Sequence, residues 1–182
     1  MVRFLKSLVI VFAVALAYGL VHLLNDLLFA HLRFSAGVDW IFLPSGLRLL
    51  AVLLLSLQGA LGVALASALI ATVSVFPDDP ITSVGAGVLS GLSPLLARGV
   101  ATRALSVRDD LAGLAAPDLL KLTLVFGLIS ASLHQLWYVA RGHSDSLLQG
   151  IVAMMVGDLV GAVLVLYMAR FALGLLARIA AR

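Results

Sequence analysis

Cysteine is absent from the 182 residues, and so is glutamate: all nine acidic side chains are aspartate. The first absence excludes disulfides, thiolate metal sites and cysteine nucleophiles, and leaves the redox compartment unspecified. The second removes paired-glutamate catalysis and the zinc-protease motif. No nucleophile elbow or phosphate loop is present either, so the chain does not read as an enzyme. Charge is scarce at 12%, where a soluble domain carries about 25%. No basic run is interleaved with exposed aromatics, which excludes nucleic acid as a partner and leaves the net charge of +3 to be explained by loops beside a membrane.

What replaces charge is apolar sequence, 63% of the chain, against roughly 45–50% in soluble domains. Lipid is the solvent this composition fits, so the chain length is counted in spans of ~20 residues. The fold class expected is all-α: one polytopic helical membrane domain over residues 1–182, with about six transmembrane helices and both termini cytoplasmic. The spans read as Leu5–Ala30, Leu47–Leu57, Ala60–Phe76, Ile81–Val100, Leu122–Ala140 and Leu147–Phe171. The first mimics a signal peptide, with Ala13-Val14-Ala15 as a cleavage-like triplet. Its apolar run continues too far for that, so it reads as an uncleaved span. Pro94 is expected to kink the fourth span. The charged stretch Arg98–Lys121 reads as a loop with a short interfacial helix near Asp109–Leu114, and Ala172–Arg182 as a basic, mildly amphipathic tail.

Basic residues fix an expected orientation. With the N-terminus inside, Arg3, Lys6, Arg98, Arg103, Arg108, Lys121, Arg170, Arg178 and Arg182 fall inside, and Arg33 and Arg141 outside. That bias places the chain as a multi-pass protein of a bacterial inner membrane. Arg48 is left within the membrane.

Polar residues then collect in the outer leaflet. Leu43-Pro44-Ser45-Gly46-Leu47-Arg48 breaks regular backbone, offers Ser45 as a helix N-cap, and places Arg48 ~12 Å below the outer surface. Asp158 lies at ~16 Å in the last span. His22, Asn25 and Asp26 end the first span, and His134 and Gln135 the fifth. Intramembrane ionisable residues mark function by default. The candidate ligand-binding set is therefore Ser45, Gly46, Arg48, Asp158, His22, Asp26 and His134. The free N–H groups starting span two, with Arg48, would receive a small anionic ligand. Asp158 would balance Arg48 when the pocket is empty, or the two would form a register-fixing pair. His22 and His134 would serve as haem axial ligands if spans one and five are neighbours, and with Asp26 and Asp158 they would also suit a proton relay. No cofactor or metal follows from these residues.

Trp40-Ile41-Phe42-Leu43-Pro44-Ser45-Gly46-Leu47-Arg48 resembles the W-x-P-x-G stretch of the bacterial MASE1 membrane sensor domain, and Gly157-Asp158-x-x-Gly161 is similar to a pattern late in that family. The resemblance implies a multi-helix sensory module, here without an output domain after Arg182, that signals through a partner protein. A second resemblance, to the substrate-binding components of energy-coupling-factor vitamin transporters, implies capture of a small molecule from outside and docking of an energising partner, for which the Ala/Gly-rich face of span three is a candidate surface. A structural assembly factor is a third class.

Overall fold

A chain this apolar cannot bury all its large side chains, and the surplus sorts into one stripe per helix. In the third helix Leu61, Leu65 and Leu69 face outward; in the fourth, Val84, Val88, Leu92, Leu96 and Val100 do. The spacing of four is that of a single helix face. Small residues take the opposite faces and let the backbones close in.

The computed structural model describes residues 2–104 and 116–180, with the backbone alone at 116, 170, 172–177 and 180. Among them are six α-helices: α1 (Val2–Phe29), α2 (Pro44–Leu55), α3 (Leu57–Ile70), α4 (Pro80–Ala104), α5 (Ala116–Ala140) and α6 (Leu147–Ala180). Five are long and apolar enough to cross a membrane. The exception is α2. Its 12 residues reach ~18 Å, short of a hydrocarbon layer of ~30 Å. The second expected span is therefore a partial helix. It ends at Ser56, whose φ of 49° and ψ of −121° reverse the chain within one residue. This is backbone that favours glycine. Gln58 at that reversal donates to Ser7 Oγ of α1 at 3.1 Å.

Neighbouring helices follow the order α1, α3, α4, α5, α6, and α2 packs against α1, α3, α4 and α6. The short helix thus fills the interior of the bundle. The Ala/Gly-rich face of α3 is occupied as well: Gly62 meets α1 at Val11 and Val14, and Ala64 and Ala68 meet Gly87 and Gly91 of α4. It is not a free docking surface, because only its leucine stripe faces out. The last turn of α3 widens into a π-helical segment, Ala71–Val75.

Several boundaries move. α4 continues through Pro94 and past Arg98 to Ala104, so the charged loop begins later than expected. α5 begins at Ala116, and α6 runs unbroken to Ala180, absorbing most of the expected tail. The expected interfacial helix at 109–114 lies outside the described residues.

The stretch His31–Trp40, expected as a plain loop, holds a small antiparallel hairpin, β1 (Arg33–Ser35) and β2 (Val38–Asp39). Gly37, at φ 73°, makes the turn. Across it Arg33 Nε donates to Asp39 Oδ1 at 3.2 Å, and Phe34 meets Trp40 edge-on at 5.7 Å.

The two sequence stretches that resemble one sensor family form one joint. Phe42 N–H donates to the Gly157 carbonyl at 3.2 Å. A Cβ on Gly157 would strike the Asp39 carbonyl, and one on Gly161 the Phe42 carbonyl. These glycines exist so that α6 can lie against the backbone entering α2. On the far side Asp79 caps α4 and ties two loops together. It accepts from Thr82 N–H at 3.0 Å, Thr82 Oγ1 at 2.6 Å and His143 Nε2 at 3.0 Å, and both its oxygens accept from Arg141. The Thr82 bonds first, then those from His143 and Arg141, hold its carboxyl well below the usual range.

Candidate functional site

Beneath the hairpin the helices part around a cavity of about 300 Å³. α1, α3 and α4 reach it through residues one turn apart. α1 contributes Tyr18, His22 and Asp26, a spacing of four that keeps all three on one face. α5 brings Tyr138, and α6 brings Met154. Apolar walls come from Phe42, Ile70, Phe76 and Ala86.

The mouth is charged. Arg33 bridges α1 and the hairpin, donating to Asp26 at 2.9 Å and to Asp39 at 3.2 Å. Burial pushes the Asp39 carboxyl up, against the pull of Arg33. His22 lies 3.7 Å from Asp26.

The floor is Arg48, 3% exposed. Its Nε and Nη2 donate to the Tyr18 hydroxyl at 3.2 and 3.1 Å, and its guanidinium stands 4.9 Å from the Phe42 ring centre. Nη1 has no partner. Because the Tyr18 oxygen accepts twice, its own hydrogen is available to the cavity. The Tyr138 hydroxyl, also on the wall, has no protein partner among the described residues. Three donor-bearing side chains, Arg48, Tyr18 and Tyr138, therefore line the cavity, one of them cationic. Such a set has the chemistry to suit an anion.

A second polar line leaves the cavity between α3, α4 and α5. Ser67 donates to Ser90 at 2.8 Å, and Ser90 meets His134 Nε2 at 3.2 Å. His134 Nδ1 meets the Ser130 carbonyl at 2.8 Å. A carbonyl can only accept, so Nδ1 carries hydrogen and Nε2 accepts from Ser90 in the neutral ring. Both ring nitrogens are engaged within the protein. α1 packs on α3 and α2, and α5 on α4 and α6, so spans one and five are not the packed neighbours that the axial haem arrangement requires. Among the described residues no group of three or more His, Cys, Asp or Glu is placed to hold a metal.

Of the residues singled out in the sequence, His22, Asp26 and Arg48 line the cavity, and His134 stands behind Ser90. Asp158 is fully buried one turn beyond Met154, and neither carboxylate oxygen has a hydrogen-bond partner. Arg48 and Asp158 make no direct ion pair: the guanidinium turns to Tyr18 instead. Ser45 and Gly46 lie at the α2–α6 contact. Ser45 Oγ stands 2.8 Å from both the Phe42 and Asp158 carbonyls, and Gly46 abuts Val165 and the Gly161 carbonyl. Ser45 is not the N-cap, since Pro44 already occupies the first helical turn. Nor does this helix start offer free N–H groups. Ser45 N–H goes to Phe42, Gly46 N–H to Leu43, and Leu43 N–H to Asn25 Oδ1 at 2.8 Å. Any anion is received by side chains.

Tyr18, Ser67 and Ser90 were missed in the sequence. The one available signal for Tyr18 was its position four residues before His22 and eight before Asp26.

Five apolar crossing-length helices, lipid-facing leucine and valine stripes and an enclosed polar interior decide the class. This chain is a polytopic helical membrane protein. No family model, no curated protein and no solved structure matches it. The resemblance to a sensor family rests on its two short motifs alone.

Proposed function

We propose that this membrane protein is a sensory, ligand-binding module that receives a small anion through the hairpin end of the bundle. The observation carrying this reading is Arg48: a cation almost wholly buried at the floor of a cavity, with one nitrogen unused. A buried charge held only by a neutral hydroxyl and a ring face costs several kcal/mol, so a site that keeps one has a use for it. The basic residues at the other end, including Arg103 and Lys121, orient that end to the cytoplasm. The hairpin end then faces outward. The transport reading loses its best support with α3, whose small-residue face is already packed.

The test is binding by the full chain in lipid nanodiscs, with acetate, benzoate and succinate as probes in calorimetry. At least one is expected to bind, with affinity reduced tenfold or more in Arg48→Gln. Equal binding by Arg48→Gln, or none by the wild type, overturns the pocket. Accumulation of labelled probe in sealed vesicles would replace sensing with transport.

A further inference from the structure

We infer that the pocket takes up its anion together with one proton, and that the proton goes to Asp158. The inference rests on the anion-binding reading and adds a ligand class to it: the monoanion of a weak acid.

Two groups of opposite charge type, Arg48 and Asp158, are buried in this bundle without a direct ion pair between them. Arg48 has an unused Nη1, and Asp158 has two unused oxygens. Ser45, one turn before Arg48, contacts the Asp158 backbone carbonyl, so the two side chains belong to one neighbourhood, and each lies within the field of the other. In the empty protein each offsets only part of the other's burial cost through space. An anion seated in the cavity against the Arg48 guanidinium and the Tyr18 hydroxyl cancels the field of Arg48. The Asp158 carboxylate is then left alone in an enclosed apolar setting, at a cost of several kcal/mol. Forming one O–H bond on it, with a proton drawn from solvent, removes that cost. The sum is neutral: anion and proton enter, and nothing leaves.

The surroundings single out Asp158 as the acceptor. From α5 it faces the Ser130 hydroxyl, itself without a partner and not closing a good hydrogen bond to the carboxylate. His134 and Tyr138 follow on the same face of α5, one and two turns on. His134 already spends Nδ1 on a carbonyl and Nε2 on Ser90. From α2 come Arg48 and Ser45, and from α1 Tyr18. From the hairpin comes Asp39, whose carboxylate is held by Arg33. Among these neighbouring groups it is Asp158 that has both oxygens unsatisfied. The line Ser67–Ser90–His134–Ser130 leads from the cavity towards it, and Met154 separates it from the cavity by a single helical turn.

The same arithmetic selects the ligand. A monoanion is matched by one proton, whereas a dianion brings a second charge that this floor does not compensate. Benzoate is therefore expected to bind more tightly than succinate.

The test uses the full chain in nanodiscs, with benzoate as probe, in Tris and bis-Tris at one pH. These buffers differ in ionisation heat, so the difference in measured heat counts protons. The expected result is an uptake of about one proton per benzoate, with affinity falling about tenfold per pH unit across the range where the empty protein holds the carboxylate ionised and the loaded protein holds it protonated. In Asp158→Asn the uptake vanishes and the affinity no longer depends on pH. Benzoate binding with no proton uptake in the wild type overturns the coupling and leaves the pocket standing. Undiminished uptake in Asp158→Asn overturns the assignment to this residue. No binding of any probe overturns both readings. The wild-type measurement decides the coupling even where the variant fails to fold.

Discussion

Removing one oxygen from Tyr18 gives a direct measure of what holds the cavity floor. Tyr18→Phe keeps the ring, and with it the packing against Val14, Ala51, Val63 and Ala66. It deletes the acceptor of two guanidinium bonds, at 3.2 and 3.1 Å. A hydrogen bond to a charged group contributes about 1.5–3 kcal/mol. Two full bonds would suggest twice that, but both share one oxygen and both exceed the 2.7–2.9 Å of strong charge-assisted pairs. The expected loss is therefore that of one bond, about 2 kcal/mol. Thermal or denaturant unfolding in detergent, with a helix signal as readout, measures it. Tyr138→Phe is the control. It deletes a hydroxyl that has no protein partner and should change stability by less than about 0.5 kcal/mol. Tyr18→Phe should also weaken benzoate binding by roughly five- to tenfold, through loss of the donated hydrogen. Equal stability losses in the two variants would refute the claim that Arg48 is anchored by Tyr18.

Gly161→Ala should destabilise by about 1–3 kcal/mol, because the added methyl meets the Phe42 carbonyl and backbone cannot give way as a side chain does. Gly99→Ala, also helical but with nothing within 4 Å of the new methyl, should instead stabilise by about 0.5–1 kcal/mol; comparing thermal midpoints checks both. Asp79, whose folded carboxyl is held below its unfolded value of about 3.9, contributes stability that is complete above that value and drains away as pH falls through the folded one. Between pH 6 and 3 the wild type should lose more stability than Asp79→Asn, and parallel curves would show that Asp79 does not drive the acid response.

The class of this protein was plain in its residues, because 63% apolar sequence broken by short polar turns has few other solutions. The faces of the helices were harder to read. In a helix apolar all round, hydrophobic periodicity does not say which side meets lipid, and only polar residues at a spacing of four, such as His22 and Asp26, report the inner face. Tyr18 continues that row, but an aromatic ring in an apolar run carries no mark of its own. The start of α2 misled for a different reason. Proline, serine and glycine do open a helix there, but the partners that use up its N–H groups include Asn25, which is 18 residues upstream. The hairpin escaped notice because its strands span three and two residues, too few for alternation to show. Its stability comes from the Arg33–Asp39 pair and the Phe34–Trp40 contact, both visible only once the chain has turned.

α6 has 34 residues and so a length of ~51 Å, some 20 Å more than a bilayer core. Ser45 grips it at Asp158, about a third of the way along. From that grip the helix extends ~17 Å towards Leu147 and ~33 Å towards Ala180. The grip is a fulcrum with unequal arms. A tilt of about 3° around it, small enough to be absorbed by side chains at the cavity floor, carries the Ala180 end by ~1.7 Å, about twice the travel of the short arm. A tilt started at the Arg48 end of that lever would therefore be magnified at the opposite end of the molecule.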